Sequence, residues 1–194
     1  MAHYFSKQQN VQSEEMTLHY QFDGSMFKFI SDHGVFSKNH VDDATDLLLK
    51  SLTLPPGKYA LDLGCGYGVI GIVLSKHFGL DVTMVDVNER ALDLSKRNTT
   101  LNDTEATIIN SDGFENIEGA FDYIVTNPPI RIGKTLLYEL FDQAISHLNQ
   151  TGELWLVMHK KHGALSALKH LNTLSSAEVM TRKKGFHIIR AKKR

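Results

Sequence analysis

LDLGCGYGVIG, residues 61–71, runs from an apolar stretch through three alternate glycines, Gly64, Gly66 and Gly68, and back into an apolar stretch. The residues before the glycines, KYALDLG (58–64), predict a strand, and those after, GVIGIVLSKHF (68–78), predict a helix. Glycine tolerates positive φ and lets backbone come close to a ligand, while the start of the following helix presents free N–H groups. The loop can therefore seat a nucleotide-like molecule. Gly66, Gly68 and Gly71 also fit the G-x-G-x-x-G of dinucleotide-binding folds. Asp86 lies 20 residues after Gly66, where a ribose-binding acid is expected for either ligand. The glycines alone leave the cofactor open, and a plain tight turn between strand and helix also accounts for them.

Outward from the loop the alternation continues. Strands are predicted at DVTMVDV (81–87), ATIINSD (106–112), FDYIVTN (121–127) and GELWLVM (152–158). Helices are predicted at NERALDLSKRNTT (88–100), KTLLYELFDQAISHL (134–148) and HGALSALKHL (162–171). Short β-rich runs alternating with helices imply βαβ units and a sheet buried on both faces. The end departs from this: AEVMTRKKGFHIIRAKK (177–193) reads as two strands turning at Lys184-Gly185. Ahead of the core, TLHYQFDGSMFKFIS (17–31) alternates apolar and polar residues about an Asp23-Gly24 turn. VDDATDLLLKSL (41–52) reads as a helix with an acidic first turn, stopped by Pro55-Pro56-Gly57. The fold class expected is α/β: a Rossmann-like, doubly wound, mainly parallel seven-stranded sheet with an antiparallel C-terminal hairpin and an N-terminal β-hairpin extension. One domain, residues 1–194, is expected, with the extension at 1–38 and the core at 39–194.

Composition narrows the function classes. The 194 residues, 42% apolar, can fill one core. No apolar run approaches the length of a membrane span and the N-terminus lacks the apolar centre of a signal peptide, so a cytoplasmic protein is expected. The single cysteine, Cys65, has no internal partner. His159, His162 and His170 are the nearest approach to a metal set, but their loose spacing fits a solvated helix or loop, and no metal is expected. The net charge of −1 conceals an asymmetry: residues 158–194 hold 10 Lys/Arg against Glu178 alone, a net +9, leaving −10 elsewhere. Such a basic end suits a polyanion such as nucleic acid, or is only a charged surface with a basic tail.

Two acids help choose the ligand. Asp62 ends the first core strand two residues before Gly64, where a carboxylate suits an ammonium group and repels a pyrophosphate. S-adenosylmethionine, whose amino acid end carries an ammonium, is favoured over NAD. Asp112, in INSDGF (109–114), can accept from an adenine amino group, or serve only as a turn-forming Asp-Gly pair.

TNPPIRIGK (126–134) supplies the chemistry. Asn127 and Pro128 each precede a proline, so the stretch is stiff, and the prolines bring no N–H to compete. At the C-terminal end of a parallel strand, the Asn127 side-chain oxygen and the Pro128 carbonyl can both face the cleft as acceptors. Two preset acceptors suit an NH2 group, whose nitrogen gains positive charge as it attacks a methyl. A simple strand terminator is the alternative.

DLGCGYGVIG, VDVN, NSDGF and TNPPIRIGK, in this order, resemble the motifs of class I S-adenosylmethionine-dependent methyltransferases. With the upstream DHGVFSKNHVDDATDLLL (32–49), the chain resembles the small, single-domain relatives of ribosomal RNA small subunit methyltransferase C, a guanine N2-methyltransferase. The resemblance implies S-adenosyl-L-methionine as cofactor and S-adenosyl-L-homocysteine as product. It implies cofactor contacts from Asp62, Gly64, Cys65, Gly66, Gly68, Asp86, Val87, Asp112, Gly113 and Asn127. Asn127, Pro128, Pro129 and Ile130 would form the catalytic turn, and Phe36, Lys38, Arg131 and Lys134 would meet substrate, the last two through a phosphate. Many amino-methyltransferases carry an aromatic residue where this chain has Ile130, and the upstream motif commonly has glycine at Ala44. The guanine-specific enzyme also has a duplicated domain before the catalytic one, where this chain has a short hairpin.

The activity expected is methyl transfer to an exocyclic amine of a base, guanine N2 in small-subunit ribosomal RNA first. Adenine N6, a protein glutamine amide, and an inactive RNA-associated cofactor-binding module are the alternatives. The partner expected is RNA, ribosomal RNA or the small ribosomal subunit, with no membrane.

Overall fold

The structure, a computed structural model, describes residues 12–35, 37 and 39–194. The chain begins with β1 (Met16–Phe22) and β2 (Ser25–Ser31), an antiparallel pair turning at Asp23-Gly24, followed by α1 (Asp43–Ser51). The core continues as β3 (Tyr59–Leu63), α2 (Val69–Lys76), β4 (Asp81–Asp86), α3 (Glu89–Leu101), β5 (Thr107–Asn110) and β6 (Phe121–Thr126). It ends as α4 (Lys134–Ser146), β7 (Leu148–His159), α5 (Ala164–Leu174), β8 (Ser175–Lys183) and β9 (Phe186–Lys193), with single 3-10 turns at Ile130–Ile132 and Lys160–His162.

The seven-stranded sheet has the order β5-β4-β3-β6-β7-β9-β8. β3 to β7 run parallel, and β9 and β8 add to β7 antiparallel, as the sequence leads one to expect. Alternate residues enter two separate cores. Ala60, Val125, Trp155, Val157 and Ile188 face the hairpin and α1 to α3. Leu61, Ile124, Leu154, Leu156 and Ile189 face α4 and α5. Both faces are thus buried, which is why these strands read as continuous apolar runs.

The largest departure from the expected boundaries is at the start of β7. β7 starts at Leu148 and not at Gly152, because Leu148 already pairs with Phe121 before a register shift leads to Tyr123 opposite Glu153. A Cβ on Gly152 would lie 2.9 Å from the Phe121 carbonyl oxygen, so the glycine marks close backbone approach at the irregularity.

The hairpin shares the core. Leu18, Tyr20, Phe22, Phe27 and Phe29 are buried with residues of α2 and α3. Asn98 of α3 and Asn102, its C-cap, treat the outer edge of β2 as a neighbouring strand would: Asn102 exchanges hydrogen bonds with the Lys28 N–H (3.0 Å) and carbonyl (2.7 Å). Asn98 does the same with the Ile30 N–H (2.7 Å) and carbonyl (2.9 Å). Side-chain amides carry both donor and acceptor, so two of them satisfy an edge that would otherwise invite another chain. Asn98 Nδ2 also donates to the Tyr67 carbonyl (2.8 Å), linking hairpin, helix and glycine loop.

The order reverses about β3: the chain runs outward through β4 and β5, then returns to β6 on the other side. In open α/β sheets, ligands bind at that reversal, outside the carboxyl ends of the strands.

Candidate active site

A cavity of about 340 Å³ lies at that place. Its walls follow the sheet order: Asp86 ends β4, Gly64 to Tyr67 follow β3, Asn127 and Pro128 follow β6, His159 ends β7 and Phe186 begins β9. The start of α1, with Asp42 and Thr45, closes it from one face.

On the β3 side, Gly64 (φ 76°) and Gly66 (φ 56°) are left-handed, and a Cβ built on either meets nothing within 4 Å. Backbone conformation, not crowding, requires glycine here, and the empty space is where a ligand can approach. Gly71 has a different reason. A Cβ there would lie 2.3 Å from Met84 Sδ, so it lets α2 settle on β4.

The Gly71 N–H donates to Asp62 Oδ2 (2.7 Å), while Asp62 Oδ1 is buried with no partner among the described residues. An orphaned buried carboxylate oxygen costs free energy unless a cation or donor meets it. Burial pushes the Asp62 carboxyl up to about 8, opposed by the Gly71 N–H and assisted by the nearby Asp86 charge. Asp86 accepts from Gly66 N–H (2.8 Å) and Asn88 N–H (2.9 Å). Burial also raises its carboxyl, against the hydrogen bonds from Asn88, Gly66 and Val87. Cys65 is buried beside Ser95 Oγ (3.7 Å), and burial pushes its thiol well up, which makes it packing and not a nucleophile.

On the β6 side, the Asn127 amide is fixed by contacts no local pattern announces. Its Nδ2 donates to Asp42 Oδ2 (3.1 Å) and Thr45 Oγ1 (3.0 Å). Asp42 also caps α1, accepting from the Ala44 (3.0 Å) and Thr45 (3.1 Å) N–H groups. An ionised carboxylate only accepts, so the amide nitrogen must face it, and Oδ1 is the atom left to the cavity. The sequence places Asp42 only in the acidic first turn of a helix; the structure makes it the N-cap of α1 and gives it the Asn127 amide as a second partner.

The Pro128 carbonyl departs from the expected free acceptor. It accepts from the Ile130 N–H (2.9 Å) across Pro129 (φ −75°, ψ 76°), an inverse γ-turn. One lone pair of that oxygen is therefore engaged and the second remains. The turn holds the segment even more firmly than the prolines alone.

The remaining expected residues divide. Ile130 and the exposed Arg131 line the cavity. Lys134 lines an adjoining cavity of about 310 Å³ that shares Ile130, Met158 and His162 with the first. Its Nζ sits 5.3 Å from the centre of the Tyr138 ring. Asp62 and Gly68 lie behind the loop, and Val87, Asp112, Gly113 and Pro129 do not line the cavity, Asp112 being exposed. Phe36 and Lys38 lie outside the described residues. Among the described residues no three His, Cys, Asp or Glu side chains are grouped to hold a metal ion. His170 stands apart, 2.6 Å from Asp142 Oδ1 and stacked on Tyr138.

The C-terminal cations are also sorted. Arg190 and Lys192 pair with Glu153, Arg190 also with Glu178, and Lys193 donates to the Leu148 carbonyl (2.6 Å). Lys160, Lys161, Arg182 and Lys183 make no ion pair among the described residues. They sit at the ends of β7 and β8, on the strands that carry His159 and lie beside Phe186 of the cavity wall, and Lys169 of α5 is a further exposed cation without an ion pair among the described residues, so the charge open to a polyanion sits on folded elements and not in a loose tail. No helix among the described residues is long and apolar enough to cross a membrane.

Residues 26–190 match the family model described as Methyltransferase small domain. The protein named as uncharacterized protein YbxB of Bacillus subtilis (strain 168) is 43% identical over 197 residues, covering 98% of each chain. Ribosomal RNA small subunit methyltransferase C of Pasteurella multocida (strain Pm70) is 44% identical over 129 residues, which are 64% of this chain but only 39% of that one. Among solved structures, the 16S rRNA N2 guanine methyltransferase of T. thermophilus, in complex with AdoMet and guanosine, superposes with a TM-score of 0.84. It is 26% identical and covers 93% of this chain, which spans 51% of its length. The open space at Gly64 and Gly66 and Asp86 on the cavity wall fit such a cofactor, with its amino acid backbone and ribose, and the buried Asp62 oxygen behind the loop is an acceptor with no donor among the described residues.

Proposed function

We propose that this chain, which belongs to the methyltransferase small domain family and uses S-adenosylmethionine, methylates the exocyclic amine of a nucleobase, guanine N2 in small-subunit ribosomal RNA. The observation that carries the chemistry is the Asn127 amide, its nitrogen tied to Asp42 and Thr45 and its oxygen left to the cavity beside the glycine loop. The T. thermophilus relative's activity on guanine N2 of 16S rRNA supports the base, and that relative, the Pasteurella ribosomal RNA methyltransferase and the cations at the mouth support RNA.

The bound cofactor supplies an electrophilic methyl, so that an N–C bond forms as the C–S bond breaks. Asn127 Oδ1 and the second lone pair of the Pro128 carbonyl accept from the two hydrogens of the acceptor amine. That draws its nitrogen toward a pyramidal shape and stabilises the charge that grows on it. The acceptors are already oriented, so little reorganisation is needed as the charge appears. No strong base is required, because the methylated ammonium loses its proton afterwards to water. Asp86 would hold the ribose hydroxyls with its remaining lone pairs, and Asp62 Oδ1 would receive the ammonium.

The Asp62 assignment carries a pH dependence. Its folded value of about 8 lies above the ordinary carboxylate value, so in the ligand-free protein its contribution to stability is fully present below about pH 4 and lost as pH rises through about 8. An ammonium needs the charged form, so binding at lower pH must first remove the proton. Affinity for S-adenosylhomocysteine is expected to rise roughly 50-fold from about pH 6 to about pH 8, nearly tenfold over the first unit and less over the second, and then to fall as the ligand amine deprotonates. Calorimetric titration across this range tests it: Asp62→Asn should flatten the acid limb, and an unchanged acid limb removes Asp62 from the ammonium site.

The reading itself is tested by incubating the protein with methyl-labelled S-adenosylmethionine and unmodified ribosomal RNA, free and as small subunits, then identifying the labelled nucleoside. Label in N2-methylguanosine is expected. Label in N6-methyladenosine or in a protein glutamine would move the acceptor while keeping the Asn127 chemistry.

A further inference from the structure

We propose that His159 and Phe186 form the wall on which the target base stacks, replacing the aromatic side chain that this chain lacks at Ile130. The inference rests on reading the acceptor as a nucleobase.

Strand order separates the two reactants. Asp86 and the glycine loop belong to β4 and β3, Asn127 to β6, and His159 and Phe186 to β7 and β9. Neighbouring strands lie about 4.8 Å apart, so Asn127 stands between a cofactor half and a half one to two strands further along. The acceptor belongs in that second half. Thr126 pairs with Leu156, so the end of β7 extends past the end of β6 and carries His159 beyond the Asn127 turn. His159 has the same parity as Trp155 and Val157, which face α1, the side from which Asp42 and Thr45 hold Asn127. All three side chains therefore look into one space.

The two rings are held as a unit. His159 and Phe186 are directly opposed across β7 and β9, with ring centres 5.0 Å apart and planes at 84°. His159 Nδ1 accepts from the Lys161 N–H (3.1 Å), and the Lys160 N–H donates to the Gly185 carbonyl (2.8 Å). Gly185 is flush with the imidazole: a Cβ there would lie 2.4 Å from His159 Nε2. With φ at +85°, the turn both needs glycine and uses its bareness to press backbone against the ring. Such a fixed ring loses little freedom when a ligand stacks on it. His162 lines the cavity next to it, with ring centres 5.6 Å apart.

The surroundings suit a nucleotide. Lys160 and Lys161 follow His159 directly, and Lys183 is opposite Phe186 across β8 and β9, so aromatic faces and unpaired cations alternate at the mouth. That combination of stacking surface and backbone-seeking charge is how single-stranded nucleic acid is held. A glutamine side chain has no use for a stacking wall.

The test uses the full protein saturated with S-adenosylhomocysteine, titrated with GMP, AMP and a short single-stranded purine oligoribonucleotide, while the imidazole Cε1–H resonances are followed by NMR. An upfield ring-current shift of His159 is expected with at least one of them. His159→Ala is expected to raise the RNA KM about tenfold, with homocysteine-cofactor affinity unchanged, and His159→Phe to restore it. No shift of His159 with any of the three probes, or an unchanged KM in His159→Ala, overturns the proposal. If label appears in adenine and not guanine while AMP shifts His159, the wall stands and the guanine assignment falls. If a glutamine is labelled and no nucleotide moves the ring, both fall.

Discussion

Asn127→Ala is expected to lower kcat by about 10²–10³-fold while leaving the affinity for S-adenosylhomocysteine within about twofold, as happens when one preoriented polar group at a charge-developing centre is removed. The separation follows from geometry. The Asn127 nitrogen is bound to Asp42 and Thr45, on the side of α1, and the cofactor half of the cavity is built from other strands. Single-turnover methylation with a saturating cofactor, set beside calorimetric binding, measures the two effects independently. Near-normal turnover would end the amine-acceptor mechanism. Asp42→Ala should reproduce part of the loss, because the amide would then be free to turn its nitrogen to the cavity. It should also lower stability by about 0.5–2 kcal/mol through the lost cap of α1, which a melting curve reads separately.

The opposite split is expected of Asp86→Ala. Two charge-assisted hydrogen bonds to the ribose hydroxyls, about 1.5–3 kcal/mol each, would go, and the Gly66 N–H would lose its acceptor at the same time. Affinity for S-adenosylhomocysteine should fall about 100-fold, roughly 3 kcal/mol. At saturating cofactor kcat should change much less, because Asn127 is untouched. Cofactor binding unchanged in Asp86→Ala would show that the carboxylate serves only to brace the glycine loop through Gly66 and Asn88.

Reading the sequence reached a good deal of this arrangement. The parallel sheet was legible because its strands are buried on both faces and so lose the alternation of half-exposed strands. The antiparallel end was legible because Lys184-Gly185 is too short to cross over, and only a hairpin turns in two residues. The start of β7 was not, because Gly152 reads as a boundary and is in fact a glycine at which backbone meets backbone. Asp62 and the glycine loop were legible as a motif, yet the reason for Gly71 appeared only when Met84 was found against it.

Sequence by itself determined the order of the elements, the glycine loop at the end of β3 and the stiff Asn-Pro-Pro at the end of β6, since each depends on φ preferences and hydrophobic period within a few residues. Tertiary structure alone decided which way the Asn127 amide faces, because Asp42 lies 85 residues away in the chain. It decided likewise that His159 meets Phe186, that Asn98 of α3 and its C-cap Asn102 close the edge of β2, and that the Pro128 carbonyl is half engaged. Local pattern reports which face of an element is buried; it carries no account of which distant side chain will be there to meet it.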